Sequence, residues 1–234
     1  MEELRFRALV SSDWNECLSP ARPFDILTFV YPQLEEVVEE TFLLYTGNRL
    51  SYSGAVERLR ARLPRPITQE EVDRYLHEKF SLYTGTQELI RWCRENRILF
   101  MINTTGWFGY FQRAFAASLI PAVDCLSAST FLVFDQPFPT SCHYPLEEIE
   151  DKPKNTAYVM ERYSIEKVVI IGDSGGDGPH FEWGRGIGAL LIGSMTKLSL
   201  ERYCSMRNIS IDVKVGDGES IEVEKIVAAI ESFL

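Results

Sequence analysis

The sequence has no long apolar run, no paired cysteine motif and no excess of basic charge, and each absence removes a class of function. Its longest uninterrupted apolar stretches, such as Ile98 to Ile102 and Ala189 to Ile192, are strand-sized, far short of the ~20 residues needed to span a bilayer. The five cysteines, Cys17, Cys93, Cys125, Cys142 and Cys204, are odd in number and scattered, with no C-x-x-C pair of the kind that holds zinc or forms a redox dithiol. They predict reduced thiols and a cytoplasmic setting. The three histidines, His77, His143 and His180, are equally dispersed. With 24 Lys and Arg against 34 Asp and Glu, the net charge is −10, the wrong sign for binding nucleic acid or an anionic membrane surface. The amino terminus, Met1-Glu-Glu-Leu-Arg, is acidic where a secretory signal needs a basic segment, so export is not expected.

What is present is ordinary globular composition: 234 residues, 45% apolar and 25% charged, enough for one full-sized core plus a substantial insertion. Phe6 to Val10 reads as a buried strand ending at Asp13. From about Cys17 to Tyr83 the spacing turns helical, with Leu34, Val37, Val38, Phe42 and Tyr45 in one stretch and Val72, Tyr75, Leu76 and Phe80 in another. Three or four helices are expected there, with no strand between them. Thr68 followed by Glu71 is a capping box that opens the last of them. After Thr84-Gly85 helices and strands alternate, with strands at Ile98–Ile102, near Asp124–Ser127, and at Val168–Ile171, Ala189–Ile192 and Ile211–Val215. A Pro-rich loop is expected from Gln136 to Pro145, and a helix from about Lys154 to Tyr163. Such alternation predicts an α/β fold, a parallel sheet with helices on both faces, whose ligand sits beyond the carboxyl ends of the strands.

The residues at those ends carry chemistry. Strand one ends in Asp13-Trp14-Asn15, strand two in Asn103-Thr104-Thr105-Gly106, and the Val168 strand in Gly172-Asp173-Ser174-Gly175-Gly176-Asp177; a helix begins near Asp151-Lys152-Pro153-Lys154. Gathered at one rim, they supply a nucleophilic carboxylate, hydroxyl donors, an ammonium and a pair of hard oxygen ligands, the inventory of phosphoryl transfer. Asp13 alone also suits a turn, and the glycines alone suit a tight loop. His180 and Trp183, just beyond, suit packing or capping.

In this order the residues resemble the haloacid dehalogenase-like (HAD) superfamily over nearly the whole chain. Asp13 is similar to its motif I, Thr104 to motif II with Asn103 and Thr105 as rivals, Lys154 or Lys152 to motif III, and G-D-S-G-G-D from Gly172 to motif IV. The resemblance implies a three-layer, Rossmann-like core formed by residues 1–16 and 84–234, with residues 17–83 as an inserted helical cap. It implies a Mg2+-dependent phosphohydrolase that acts on a small phosphorylated metabolite through an aspartyl-phosphate on Asp13. Asp13, Asn15 (through its carbonyl), Asp173 and Asp177 would be the metal ligands, and Thr104, Thr105, Gly106 and Lys154 would bind substrate.

One position departs from the phosphatase pattern. Where the family places a second aspartate as general acid and base, this chain has Asn15, and Glu16-Cys17 replace the usual Gly-Thr. An amide cannot exchange a proton at neutral pH, so help worth about 10²–10⁴ in rate is missing at that position. A catalytically impaired phosphate-binding or regulatory protein is therefore the alternative. Asp13-Trp14-Asn15 also resembles the D-W-A of phosphonoacetaldehyde hydrolases, but these need a cap lysine, and Lys79 is the only lysine between Cys17 and Tyr83. Dehalogenases use no metal, which fits poorly with two carboxylates in motif IV.

Overall fold

The computed structural model describes residues 6–47, 49–138 and 140–234; the amino-terminal Met1-Glu-Glu-Leu-Arg lies outside them. Seven strands form one sheet, parallel throughout: β1 (Ala8–Ser12), β2 (Ile98–Trp107), β3 (Cys125–Ser129), β4 (Cys142–Pro145), β5 (Val168–Gly172), β6 (Leu190–Ser194) and β7 (Val213–Val215). Their order is β4-β3-β2-β1-β5-β6-β7, so β1 is central and both of its neighbours are long-range partners.

Four helices separate β1 from the rest of the core: α1 (Asp25–Val30), α2 (Glu35–Thr46), α3 (Tyr52–Arg60) and α4 (Gln69–Lys79). The Thr68–Glu71 capping box is formed, with both reciprocal bonds in place. The remaining helices alternate with strands: α5 (Thr86–Glu95), α6 (Phe108–Ala116), α7 (Asp151–Tyr163), α8 (Gly178–Gly186), α9 (Leu198–Met206) and α10 (Val223–Phe233). Among the described residues, no helix is long and apolar enough to cross a membrane.

Residues that alternate along a strand point to opposite faces, and the core divides accordingly. Ala8, Val10, Phe100, Ile102, Val169 and Ile171 pack with α5, α6 and α10. Leu9, Leu99, Met101, Val168 and Ile170 pack with Val159 of α7, Phe181 of α8 and Leu200 of α9. This gives the three layers of an α/β fold, with the helices α1–α4 inserted after β1.

Several boundaries differ from the sequence reading. β2 runs on to Trp107 instead of stopping at Ile102, with an irregular register to β3 after Asn103. The Pro-rich loop contains β4, which lies at the sheet edge; an edge strand tolerates Pro145 because it needs fewer N–H donors. Helix α9, unread in the sequence, buries only Leu200 and Cys204, too sparse a stripe to show a period. Helix α7 starts at Asp151, not Lys154. Pro153 falls in its first turn, where an N–H has no partner within the helix to lose.

Candidate active site

The carboxyl end of the sheet brings Asp13, Lys152, Asp173 and Asp177 together. Asp13 follows β1 directly, and its N–H donates to the carbonyl of Ile171 at 2.9 Å, which ties it to the neighbouring β5. Lys152, in the first turn of α7, donates through Nζ to Asp13 Oδ1 at 3.0 Å and to Asp177 Oδ1 at 2.6 Å. All four side chains are buried: Asp13 is 7% exposed, Lys152 2%, and Asp173 and Asp177 1% each.

The loop after β5 is shaped around Asp177. Its Oδ2 accepts from the N–H of Asp173 at 2.9 Å and of Ser174 at 3.2 Å, so both of its oxygens are engaged. A Cβ on Gly172 would lie 2.6 Å from the Asp177 carboxyl carbon, so only glycine allows this close approach. Asp173 meets a second ammonium: Lys197 Nζ lies 2.9 Å from its Oδ2 and 2.6 Å from Glu16 Oε2.

The charges set distinct protonation states. Burial raises Asp13 above the ordinary carboxylate range, against the pull of Lys152. Asp173 is raised further, by burial and by the charges of Asp177 and Asp13. For Asp177 burial is outweighed by Lys152 and by the two N–H donors, which hold it low. Burial works against the Lys152 ammonium, but Asp13 and Asp177 together raise its pKa. One carboxylate oxygen from each of Asp13, Asp173 and Asp177 lies within 4.8 Å of the other two. Three such carboxylates share Lys152 and one ammonium already divided with Glu16, a surplus of negative charge on hard oxygen donors that suits a divalent cation such as Mg2+.

Asn15 does not reach into this cluster as an acid would. Its Nδ2 donates to the carbonyl of Ala21 at 3.1 Å, and its Oδ1 accepts from the Thr104 hydroxyl at 3.3 Å. Thr104 in turn accepts from the Gly106 N–H at 3.1 Å, and a Cβ on Gly106 would sit 2.8 Å from Asn15 Oδ1. Asn15, Thr104 and Gly106 thus form a clip between the ends of β1 and β2. Along β2 Leu99, Met101 and Asn103 turn toward α7, whereas Thr104 turns to Asn15. Asn103 is buried beneath the rim, where its Nδ2 donates to Ser11 Oγ, the Lys152 carbonyl and Thr156 Oγ1. The Thr105 carbonyl accepts from the Tyr52 hydroxyl at 2.7 Å.

Lys154 is not brought to the site. Its side chain is 62% exposed and pairs with Asp151 at 2.9 Å, because two residues of helix turn carry it about 200° around the axis from Lys152. Lys197, not singled out by any motif, follows β6 at the same carboxyl end of the sheet. Tyr45 and Tyr52 arrive from α2 and α3. No local pattern marks those two as site residues. His180 is buried, bonded through Nε2 to Thr156 Oγ1 at 2.9 Å and stacked near Trp183, a packing role.

No protein-family model matches the chain, and no curated protein matches it in sequence. Solved structures do match in shape. A phospho-aspartyl intermediate analogue of phosphoserine phosphatase aligns over 96% of this chain and 99% of its own at a TM-score of 0.71 and 15% identity. A HAD family hydrolase from Salmonella enterica serovar Typhi aligns over 98% and 73% at a TM-score of 0.73 and 14% identity. Cytosolic 5'-nucleotidase IIIB bound to cytidine aligns over 97% and 86% at a TM-score of 0.59 and 16% identity. The chain has the fold of the haloacid dehalogenase-like hydrolases, phosphoserine phosphatases among them, with a buried acidic triad at the carboxyl end of its sheet.

Proposed function

We propose that the protein is a Mg2+-dependent phosphohydrolase of the HAD type, acting on a small phosphorylated metabolite in the cytoplasm through an aspartyl-phosphate on Asp13. The observation that carries this reading is the Lys152 bridge, which fixes Asp13 beside Asp173 and Asp177 at the end of the central strand. Asp13, Asp173 and the carbonyl of Asn15 would hold the ion, which when bound neutralises phosphate charge. Asp177, with both oxygens engaged, acts as the anchor of Lys152 instead of a direct ligand. Lys152 and the Thr105 hydroxyl orient the phosphoryl oxygens, and Asp13 attacks phosphorus. Lys154 has no part in this.

Residues 17–83 serve as the cap over a core of residues 1–16 and 84–234. The burial of Asp13 supports a small substrate, since a polymer could not reach it. A narrow gap of about 20 Å³, lined by Asn15, Gly106, Trp107 and Tyr110, shares Ala21 and Tyr75 with a wider hollow of about 460 Å³ between α1 and α4.

The test is turnover of an activated aryl phosphate with and without Mg2+, with mass spectrometry for a phosphoryl adduct on Asp13. Asp13→Asn should reduce turnover on the order of 10⁴-fold or more. Asn15 favours one other reading, a phosphate-binding protein without turnover. Saturable phosphate binding with no aryl-phosphate hydrolysis would select it.

A further inference from the structure

If Asn15 supplies no proton, a leaving alkoxide must find one elsewhere. Helix α2 ends beside the site, and its last turn carries Tyr45, a buried phenol. A Cβ built on Gly176 would lie 3.4 Å from the Tyr45 hydroxyl, so the phenol stands over the turn that follows Asp173. The charges of Lys152 and Asp13 both act on this phenol. The turn after β5, which carries Asp173, therefore lies directly under this hydroxyl. Its ring is held edge-on to Tyr52, 5.6 Å between centroids, and Tyr52 is itself fixed to the Thr105 carbonyl.

We propose that Tyr45 is the proton donor to the leaving oxygen, standing in for the carboxyl that Asn15 lacks; the proposal rests on the phosphohydrolase reading. An Asp13 oxygen bonds to phosphorus, and the phosphorus–ester oxygen bond breaks with its electron pair on the leaving oxygen. That oxygen takes the Tyr45 proton. The products are an acyl phosphate on Asp13, a free alcohol and a Tyr45 phenolate. In the second half water attacks phosphorus and gives one proton to the phenolate, while the bond to the Asp13 oxygen breaks and restores the carboxylate.

The environment suits both halves. Burial raises the Tyr45 pKa above the ordinary phenol value, so it is protonated at neutral pH, while Lys152 opposes that rise and stabilises the phenolate once formed. An alkoxide, near water's pKa of about 15.7, is basic enough to take the proton. A nitrophenolate leaves without help.

The experiment measures first-turnover rates of wild type and Tyr45→Phe on a series of phosphate esters running from nitrophenyl to simple alkyl. The ratio of alkyl to aryl rate should fall about 10²–10³-fold in the variant, the plot of log rate against leaving-group pKa should steepen, and the adduct on Asp13 should accumulate. Asn15→Asp added to Tyr45→Phe should recover alkyl turnover, which a merely structural role for Tyr45 would not allow. Equal loss on both ester classes, or an unchanged slope, overturns the donor role and leaves the phosphohydrolase reading standing. No first turnover of any ester by wild type overturns both.

Discussion

At the rim of the sheet Asp13, Lys152, Asp173, Asp177 and Lys197 are all charged or chargeable, whereas one layer further in Ser11, Asn103, Thr156 and His180 form a connected network without formal charge. Ser11 and Thr156 share a hydrogen bond of 2.8 Å, and Thr156 bonds the Lys152 carbonyl at 3.0 Å. Asn103 bonds the same carbonyl at 2.9 Å. The inner layer holds the backbone of Lys152, and the outer layer uses its ammonium. Burial costs a neutral group little once it is hydrogen-bonded, but costs a charge far more unless it is paired. The comparison teaches that placement and reactivity are assigned to different layers, so that positioning does not consume the charges needed for chemistry.

Breaking the outer layer should have the largest effect on stability. Lys152→Met leaves Asp13 and Asp177 buried without their shared cation and should destabilise the metal-free protein by about 3–5 kcal/mol, read from denaturant midpoints. Lys154→Met, two residues on, should leave the midpoint unchanged. A comparable loss from both would mean that the Lys152 bridge is not formed. Breaking the inner layer is milder: Asn103→Ala strips a shared donor from three buried acceptors and should cost about 1–3 kcal/mol. It should lower activity only to the extent that Lys152 shifts.

The smallest effect tests neutrality itself. Burial pushes His180 down to about 3 from 6.5, with the Lys152 charge adding to the shift. Its neutral form is thus favoured in the folded state, and the associated stability is complete above pH 6.5 and is lost as pH falls toward 3. Between pH 6.5 and 5.5 the loss approaches about 1.4 kcal/mol per unit. His180→Gln, compared with wild type across that window, should remove this part of the slope. Identical slopes would show that the imidazole is protonated or exposed in the fold.

The outer layer was largely legible in the sequence, because Asp13, Asp173 and the Lys152–Lys154 pair each stand where a strand ends or a helix begins. Choosing between Lys152 and Lys154 needed the true start of α7, which Pro153 obscured. Placing Asn103, Thr104 and Thr105 needed the phase of β2, which the uniformly apolar run Ile98–Ile102 before them does not show. The inner layer was not legible: Ser11, Asn103, Thr156 and His180 come from four separate elements, and nothing local marks any of them as partners. Tyr45 lay in plain view as one apolar position of a helical stripe. Only the fold, which sets its hydroxyl over Gly176, distinguishes it from the rest of that stripe.

Helix α7 has a mechanical consequence beyond supplying Lys152. The residue before that lysine, Asp151, accepts through Oδ2 from the N–H groups of Glu147 and Glu148 at 3.0 and 2.9 Å. Glu148 in turn accepts from the N–H groups of Tyr52 and Ser53 at the start of α3, at 3.0 and 3.1 Å. The first turn of one helix therefore grips the cation of the site with one residue and, through a two-link chain of carboxylates, the inserted helices with the residue beside it. If the insert swings to admit a substrate, the pivot and the reactive centre share a hinge pin, so opening the door and loosening the lysine are one motion.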